Sequence, residues 1–501
     1  MSAPLPVLVG LQGTTLLPAE EEALRRLQPR GVLLFKRNVV SNAQLKELCA
    51  KVTGILQESS ELPLIAADHE GGPVSVLGAA AGIPPSARAL GLADDPELTR
   101  RVHKESARRA RRAGVNFLLA PVADVDRPGN PVIGIRAFSQ DSTRVATQVR
   151  AAVRGLREGG VYSCAKHWPG HGSPSSDSHQ ESASVTIELK EWQEIDLPPF
   201  RAAVAAGVSA LMVGHLAFAE LDRSGVIAPL SRRILEECRR SLRFEGLLLS
   251  DALEMEGFGG ADPADALDAG IDLLLFGKTL LSLKDELSSL AERLKSHDGR
   301  VYTFPDAPKD PPESADAEAY ARARTSGVCV HGPLAWDLKS WVLWDGVSGD
   351  RLYPFADWGS EEQSDAPLVA GNEEREEGES SLELSLARAL QLTAREIGRW
   401  DPHENEFQNE ARLERIPWPE KGEGLLIASL RPLARPLLDA LQARLSEPSA
   451  RPAWVICLGV LPAPVTESQL PWLHLPGLCE RDFKLLSPIL QGGVDRGQPR
   501  C

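Results

Sequence analysis

Along the first three hundred residues, short apolar runs alternate with longer stretches whose apolar positions recur every three or four residues. The runs fall at 7–10, 31–35, 63–67, 115–122, 161–165, 210–213, 246–249 and 271–276. Each is brief, and several are dense in Val, Ile and Leu, the pattern of strands buried on both faces of a parallel sheet. Charged stretches of helical period at 18–27, 42–56, 96–113 and 144–157 lie between them, and one at 280–294 follows the last. Eight strands with intervening helices predict an α/β fold, a (β/α)8 TIM barrel. Periodicity leaves a doubly wound sheet open as the alternative.

After residue 300 the pattern changes. Residues 301–320 include FPDAPKDPPESADAEA, whose Pro and acid content predicts a linker. From 321 to 501 order is weaker, with apolar runs at 327–330, 341–344, 424–428 and 454–460 and helical patterns at 382–397 and 432–445. They predict a smaller α/β C-terminal domain. It holds an acidic insert near 361–383, where nine acids and one Arg give a net charge of −8. That insert reads as a solvated loop. A length of 501 residues agrees with two domains rather than one core.

The bulk numbers narrow the partners. A hydrophobic content of 43% and a charged content of 25% are those of a globular chain. The net charge of −15 argues against a nucleic-acid surface. The first residues, MSAPLPVLVGLQGTTLLP, lack a basic segment ahead of a long apolar core, so no signal peptide is expected. No apolar run approaches the ~20 residues of a membrane span. Seven scattered cysteines without a C-x-x-C fit free thiols better than a disulfide framework or a zinc site. A cytoplasmic location follows as the expectation, with neither membrane nor nucleic acid as partner.

Candidate chemistry gathers where runs end. Residues 165–180, AKHWPGHGSPSSDSHQ, bring Lys166, His167, His171, Asp177 and His179 into one Gly- and Pro-spaced segment after an apolar run. On a barrel this is the C-terminal mouth, where sites are built. The spacing matches no zinc motif. Ser250 and Asp251 close the run LLLSDALEM, and either one would serve as an N-cap for the helical pattern that follows. Asp68, His69 and Glu70 end another run, before the turn-forming Gly71 and Gly72. Asp124, Asp126 and Arg136 stand on a long segment where single charges are usually solvated, and a lone His215 in its place is usually packed. Together, five successive run ends carry polar or ionisable groups, and charges converging on one rim make a sugar or phosphate site.

At these residues the chain resembles glycoside hydrolase family 3, and within it the bacterial β-N-acetylglucosaminidases that recycle peptidoglycan. The resemblance spans roughly residues 5 to 295. It is carried by Leu33-Leu34-Phe35-Lys36-Arg37-Asn38, Asp68-His69-Glu70-Gly71-Gly72, Asn130-Pro131-Val132-Ile133-Gly134-Ile135-Arg136 and Ser250-Asp251-Ala252-Leu253-Glu254-Met255. Its most specific part is Lys166-His167-Trp168-Pro169-Gly170-His171-Gly172, followed after four residues by Asp177-Ser178-His179.

The resemblance implies that residues 1–300 form the catalytic barrel and that catalysis retains configuration. Asp251 is implied as nucleophile, His179 as general acid/base and Asp177 as its dyad partner. Asp68, Arg136, Lys166 and His167 are implied to hold the sugar. Retaining hydrolysis needs a carboxylate to attack the anomeric carbon and an acid to protonate the leaving oxygen. A His in the acid role needs an orienting carboxylate, and Asp177 is two residues away. The expected substrate is a small glycan fragment ending in β-linked N-acetylglucosamine, with no metal or organic cofactor. The chain departs from the family where Pro73 and Val76 replace Arg, and where Ser173-Pro174 replaces Asp-Thr. Three alternatives are a phosphorylase of the same lineage, a β-glucosidase, and a non-catalytic sugar-binding or regulatory protein. The replaced Arg positions favour the last, and the retained Asp251, Asp177 and His179 oppose it.

Overall fold

The structure, a computed structural model, describes residues 4–57, 62–127, 130, 132–171, 183–185 and 187–294, and the backbone of six later strands. Eight strands close into a parallel barrel. They are β1 (Leu5–Gly10), β2 (Pro29–Leu34), β3 (Leu64–Ala67), β4 (Phe117–Leu118), β5 (Tyr162–Trp168), β6 (Ala210–Val213), β7 (Leu247–Ala252) and β8 (Leu273–Thr279). Each pairs with its neighbours in chain order, and β8 closes on β1. All eight expected runs thus become the strands of a (β/α)8 barrel, and the doubly wound alternative falls.

The strands are largely apolar because both faces are buried, and the two-residue period sorts their side chains into two cores. Leu8, Leu33, Leu64, Ala66, Phe117, Tyr162, Cys164, Ala210, Met212, Leu247, Leu249, Leu273 and Leu275 fill the barrel. The alternate positions Val7, Val9, Val32, Leu34, Ile65, Leu118, Leu211, Val213, Leu248 and Leu274 face the helices. Continuing the inward phase beyond Ala66, Cys164 and Leu249 leads to Asp68, Lys166 and Asp251. The barrel's uppermost interior layer is therefore ionisable.

Local signals set the helices. Asn42–Leu56 begins at Ser41, whose hydroxyl accepts from the Gln44 amide, and it buries Leu45, Leu48, Cys49, Val52, Ile55 and Leu56 at helical spacing. Pro96–Arg112 starts with Pro and is capped by Asp95, and Ser142–Glu158 is capped by Asp141. These last two helices pack closely at Gly155, where a Cβ would lie 2.2 Å from the Arg100 carbonyl oxygen. No helix starts at Asp251: β7 runs to Ala252, a short 3-10 turn occupies Glu256–Phe258, and the next helix, Pro263–Ala269, is capped by Asp262. The N-cap reading of Ser250 and Asp251 is thereby corrected, because the strand carries on through both residues. Among the described residues, no helix is long and apolar enough to cross a membrane.

A second compact unit holds a six-stranded sheet. Thr393–Arg399, Ser340–Asp345, Glu423–Ser429, Ala453–Cys457 and Trp472–His474 run parallel in that order, and Cys329–His331 pairs antiparallel at the edge. Four of these strands coincide with the apolar runs of the sequence. Of the helix expected at 382–397, residues 382–392 lie outside the described residues, and the rest is corrected to a strand, Thr393–Arg399. The β-branched Thr393 and Ile397 and the adjacent Gly398 favour helix poorly, and pairing along Ser340–Asp345 satisfies the backbone instead. The helical pattern at 432–445 lies outside the described residues.

Candidate active site

Beyond β3 the chain folds into a hairpin, His69–Gly71 against Val74–Ser75. Its turn takes Gly71 and Gly72 to φ values of 111° and 59°. A Cβ on Gly71 would lie 2.1 Å from the Pro85 carbonyl oxygen, so this corner requires glycine. The hairpin fixes Asp68 and Glu70 at the C-terminal mouth of the barrel. His69, between them, is buried, and desolvation pushes its imidazole down to about 3, leaving it neutral.

A cavity opens at this mouth. Its floor is the barrel interior, through Leu33, Met212 and Leu275, and its walls carry Asp68, Glu70, Arg136, Lys166, His167 and Asp251. Lys166 and His167, expected on a loop, belong to β5 itself. Lys166 Nζ lies 2.6 Å from Asp68 Oδ1 and 2.6 Å from Glu70 Oε1. Arg136 donates to both oxygens of Glu70 at 2.9 Å, a bidentate pair. Side chains from three separate stretches thus form one buried chain of alternating charge.

That alternation decides the protonation states. Burial alone would push Glu70 up, but Arg136 and Lys166 outweigh it and hold the carboxyl down to about 2. Burial would lower Lys166, and Asp68 and Glu70 reverse this to leave it raised. Asp68 is raised by desolvation, against the pull of Lys166 and with the push of Glu70 and Asp251. Burial, then Arg136, drives His167 well below the ordinary imidazole range, so that ring is neutral.

Asp251 lies at the end of β7 on the same cavity, and its Oδ1 accepts from the Ala252 amide at 2.8 Å. Glu254 accepts from the Gly277 and Lys278 amides at 2.9 Å each, fixing the β8 end beside it. The structure therefore brings together Asp68, Arg136, Lys166, His167 and Asp251. Asp177 and His179 lie outside the described residues.

Two residues that the sequence placed at run ends without a role prove to be of consequence. Glu70 is the centre of the charge network, and its position two residues beyond Asp68 was the available signal. Asp124 and its neighbours Asp126 and Arg136, expected to be solvated, are 1%, 5% and 3% exposed. Asp126 pairs with Arg88 at 2.7 Å, and Asp124 Oδ2 lies 2.7 Å from His167 Nδ1. The apolar neighbours of Asp124 (Leu118, Leu119, Ala120, Val122, Val125) were the signal that it is buried. His215 is fully buried with its ring 5.3 Å from that of Phe258, the packed role expected of it.

A parallel barrel whose strand ends supply carboxylates and cations around a closed-floored cavity is the architecture of a barrel enzyme. The Glycosyl hydrolase family 3 N terminal domain matches residues 13–303, and the chain belongs to this family. It is 35% identical over 299 residues to a beta-hexosaminidase of Hydrogenovibrio crunogenus, covering 57% of this chain and 82% of that relative. A beta-hexosaminidase of Xylella fastidiosa is 36% identical over 301 residues, covering 57% and 87%. Among solved structures, NagZ from Neisseria gonorrhoeae in complex with N-trifluoroacetyl-D-glucosamine has 28% identity and a TM-score of 0.53, covering 61% of this chain and 87% of that one. A family 3 beta-N-acetylglucosaminidase from Paenibacillus sp. str. FPU-7 shares the fold across both units, with a TM-score of 0.72 and 24% identity, covering 99% and 97%.

Proposed function

We propose that this family 3 glycoside hydrolase is an exo-acting, retaining β-N-acetylglucosaminidase. The observation that carries the reading is the top layer of the barrel, where Asp251 faces a cavity walled by Asp68, Glu70, Arg136, Lys166 and His167. The apolar floor closes the cavity below, which suits a chain end rather than a chain interior. The relatives named beta-hexosaminidase support terminal N-acetylhexosamine as the sugar removed.

In this reading Asp251 attacks the anomeric carbon and forms a glycosyl-aspartate as the bond to the leaving oxygen breaks. His179, oriented by Asp177, gives its proton to that oxygen, then takes one from water, whose oxygen attacks the anomeric carbon and frees Asp251. Asp68 and His167 accept from sugar hydroxyls, while Lys166 and Arg136 hold the carboxylates in place and donate. The expected natural substrates are cytoplasmic muropeptide fragments. Residues 1–300 serve as the catalytic barrel, 301–320 as linker and 321–501 as a second domain.

A panel of aryl β-glycosides, assayed with and without phosphate, tests the reading. The N-acetylglucosaminide is expected to turn over far faster than the glucoside, to free sugar in both conditions. Comparable rates move the protein to the glucosidase branch, a sugar phosphate product makes it a phosphorylase, and no turnover leaves a sugar-binding protein.

A further inference from the structure

His167 is held on both of its ring nitrogens. Nδ1 lies 2.7 Å from Asp124 Oδ2, and Nε2 lies 3.4 Å from an Arg136 guanidinium nitrogen. The guanidinium has only N–H donors to offer, so Nε2 meets it as a lone pair. The carboxylate is itself surrounded by donors. Besides Nδ1, its oxygens accept from the His167 amide at 3.2 and 3.1 Å and from the His171 amide at 2.7 Å. A carboxylate acceptor on one side of the ring and a guanidinium donor on the other therefore demand the same tautomer.

We propose that Asp124 is a positioning residue: it fixes His167 as the Nδ1–H tautomer, so that Nε2 is an acceptor for a hydroxyl of the bound sugar. The need for such an acceptor is visible in the cavity. Lys166 and Arg136 are donors, and both oxygens of Glu70 already accept from them. His167 adds an uncharged acceptor to the acidic ones of Asp68 and Asp251. The neutral state of the ring agrees, since a second proton would sit against Arg136 and Lys166.

Asp124→Asn separates this role from simple scaffolding. The amide oxygen retains an acceptor for the backbone N–H groups, while the amide nitrogen faces Nδ1 as a donor. The ring must then carry its proton on Nε2, pointing N–H at N–H across the Arg136 contact. The proposal rests on the cavity being the sugar site, but its tautomer half does not.

The experiment is 15N NMR of the full chain labelled at histidine, with the His167 signals assigned by their loss in His167→Gln. The wild-type protein is expected to show Nδ1 protonated and Nε2 unprotonated between pH 6 and pH 8. Titration with N-acetylglucosamine is expected to shift the Nε2 resonance. In Asp124→Asn the pattern inverts, and kcat/KM on an aryl N-acetylglucosaminide falls about 10- to 100-fold, the range for a partner that orients a His ligand. In the His167→Gln background the same substitution is expected to cost less than about twofold, because the residue through which it acts is gone. An unprotonated Nδ1 in the wild type, an unmoved Nε2 resonance with bound sugar, or full additivity in the double variant overturns the proposal. If Asp124→Asn does not fold, the wild-type spectrum and titration still decide it. If no glycoside is turned over, the proposed function fails, while the spectrum decides the tautomer alone.

Discussion

Glu70→Gln tests the charge network most sharply, because the structure sets both the size and the pH dependence of its effect. Glu70 accepts from Arg136 twice at 2.9 Å and from Lys166 at 2.6 Å, with its side chain 3% exposed. Its carboxyl is held at about 2 against an ordinary 4.5. At ~1.36 kcal/mol per pKa unit, this corresponds to about 3 kcal/mol of stability near neutrality. Removing one partner of a buried pair costs a similar ~3–5 kcal/mol, since two buried cations then lose the carboxylate they share. The sign is fixed by the direction of the shift. A lowered carboxyl stabilises the fold above its unfolded-state value and loses that contribution as pH falls towards the folded value. Wild type should therefore exceed the variant by about 3 kcal/mol at pH 7, and the gap should narrow by about 1.4 kcal/mol at pH 3.5. Urea unfolding of both proteins at the two pH values, followed by circular dichroism, measures it. A gap below about 1 kcal/mol at pH 7, or one that is constant with pH, refutes the reasoning.

Other expectations follow from the same architecture. His179→Ala should lose more kcat/KM on a disaccharide than on an aryl glycoside with an acidic phenol, with Asp177→Asn milder, and a loss independent of leaving-group pKa removes His179 from the mechanism. Gly155→Ala should destabilise the barrel by about 1–3 kcal/mol, read as a lowered thermal midpoint, because its Cβ would sit 2.2 Å from the Arg100 carbonyl oxygen. An unchanged midpoint shows that the two helices move apart without cost.

The barrel was legible in the sequence because parallel strands buried on both faces are largely apolar, and eight such runs stand out between charged helices. The floor of the site was implicit in the same runs. Following alternate residues from Ala66, Cys164 and Leu249 reaches Asp68, Lys166 and Asp251. Partnership was not legible, since Glu70, Arg136 and Lys166 meet only after three distant segments are brought to one rim. Asp124 was misread for a related reason. An acid on a loop is solvated by default, and only the closed structure shows its oxygens enclosed by the amides of His167 and His171. At Asp251 the sequence favoured a helix cap, because Ser and Asp before a helical pattern look alike whether the strand stops or continues. At 393–399, sheet pairing overrode a short helical period.

The central claim is that Asp251 is the nucleophile of a retaining enzyme. It is tested most directly by trapping the intermediate with a fluorinated N-acetylglucosaminyl fluoride that forms the glycosyl-enzyme quickly and hydrolyses slowly, followed by peptide mass mapping. The account predicts one sugar on each chain, attached to the peptide containing Asp251 and absent from Asp251→Asn. A label on another carboxylate, or a product of inverted configuration with no label at all, contradicts it.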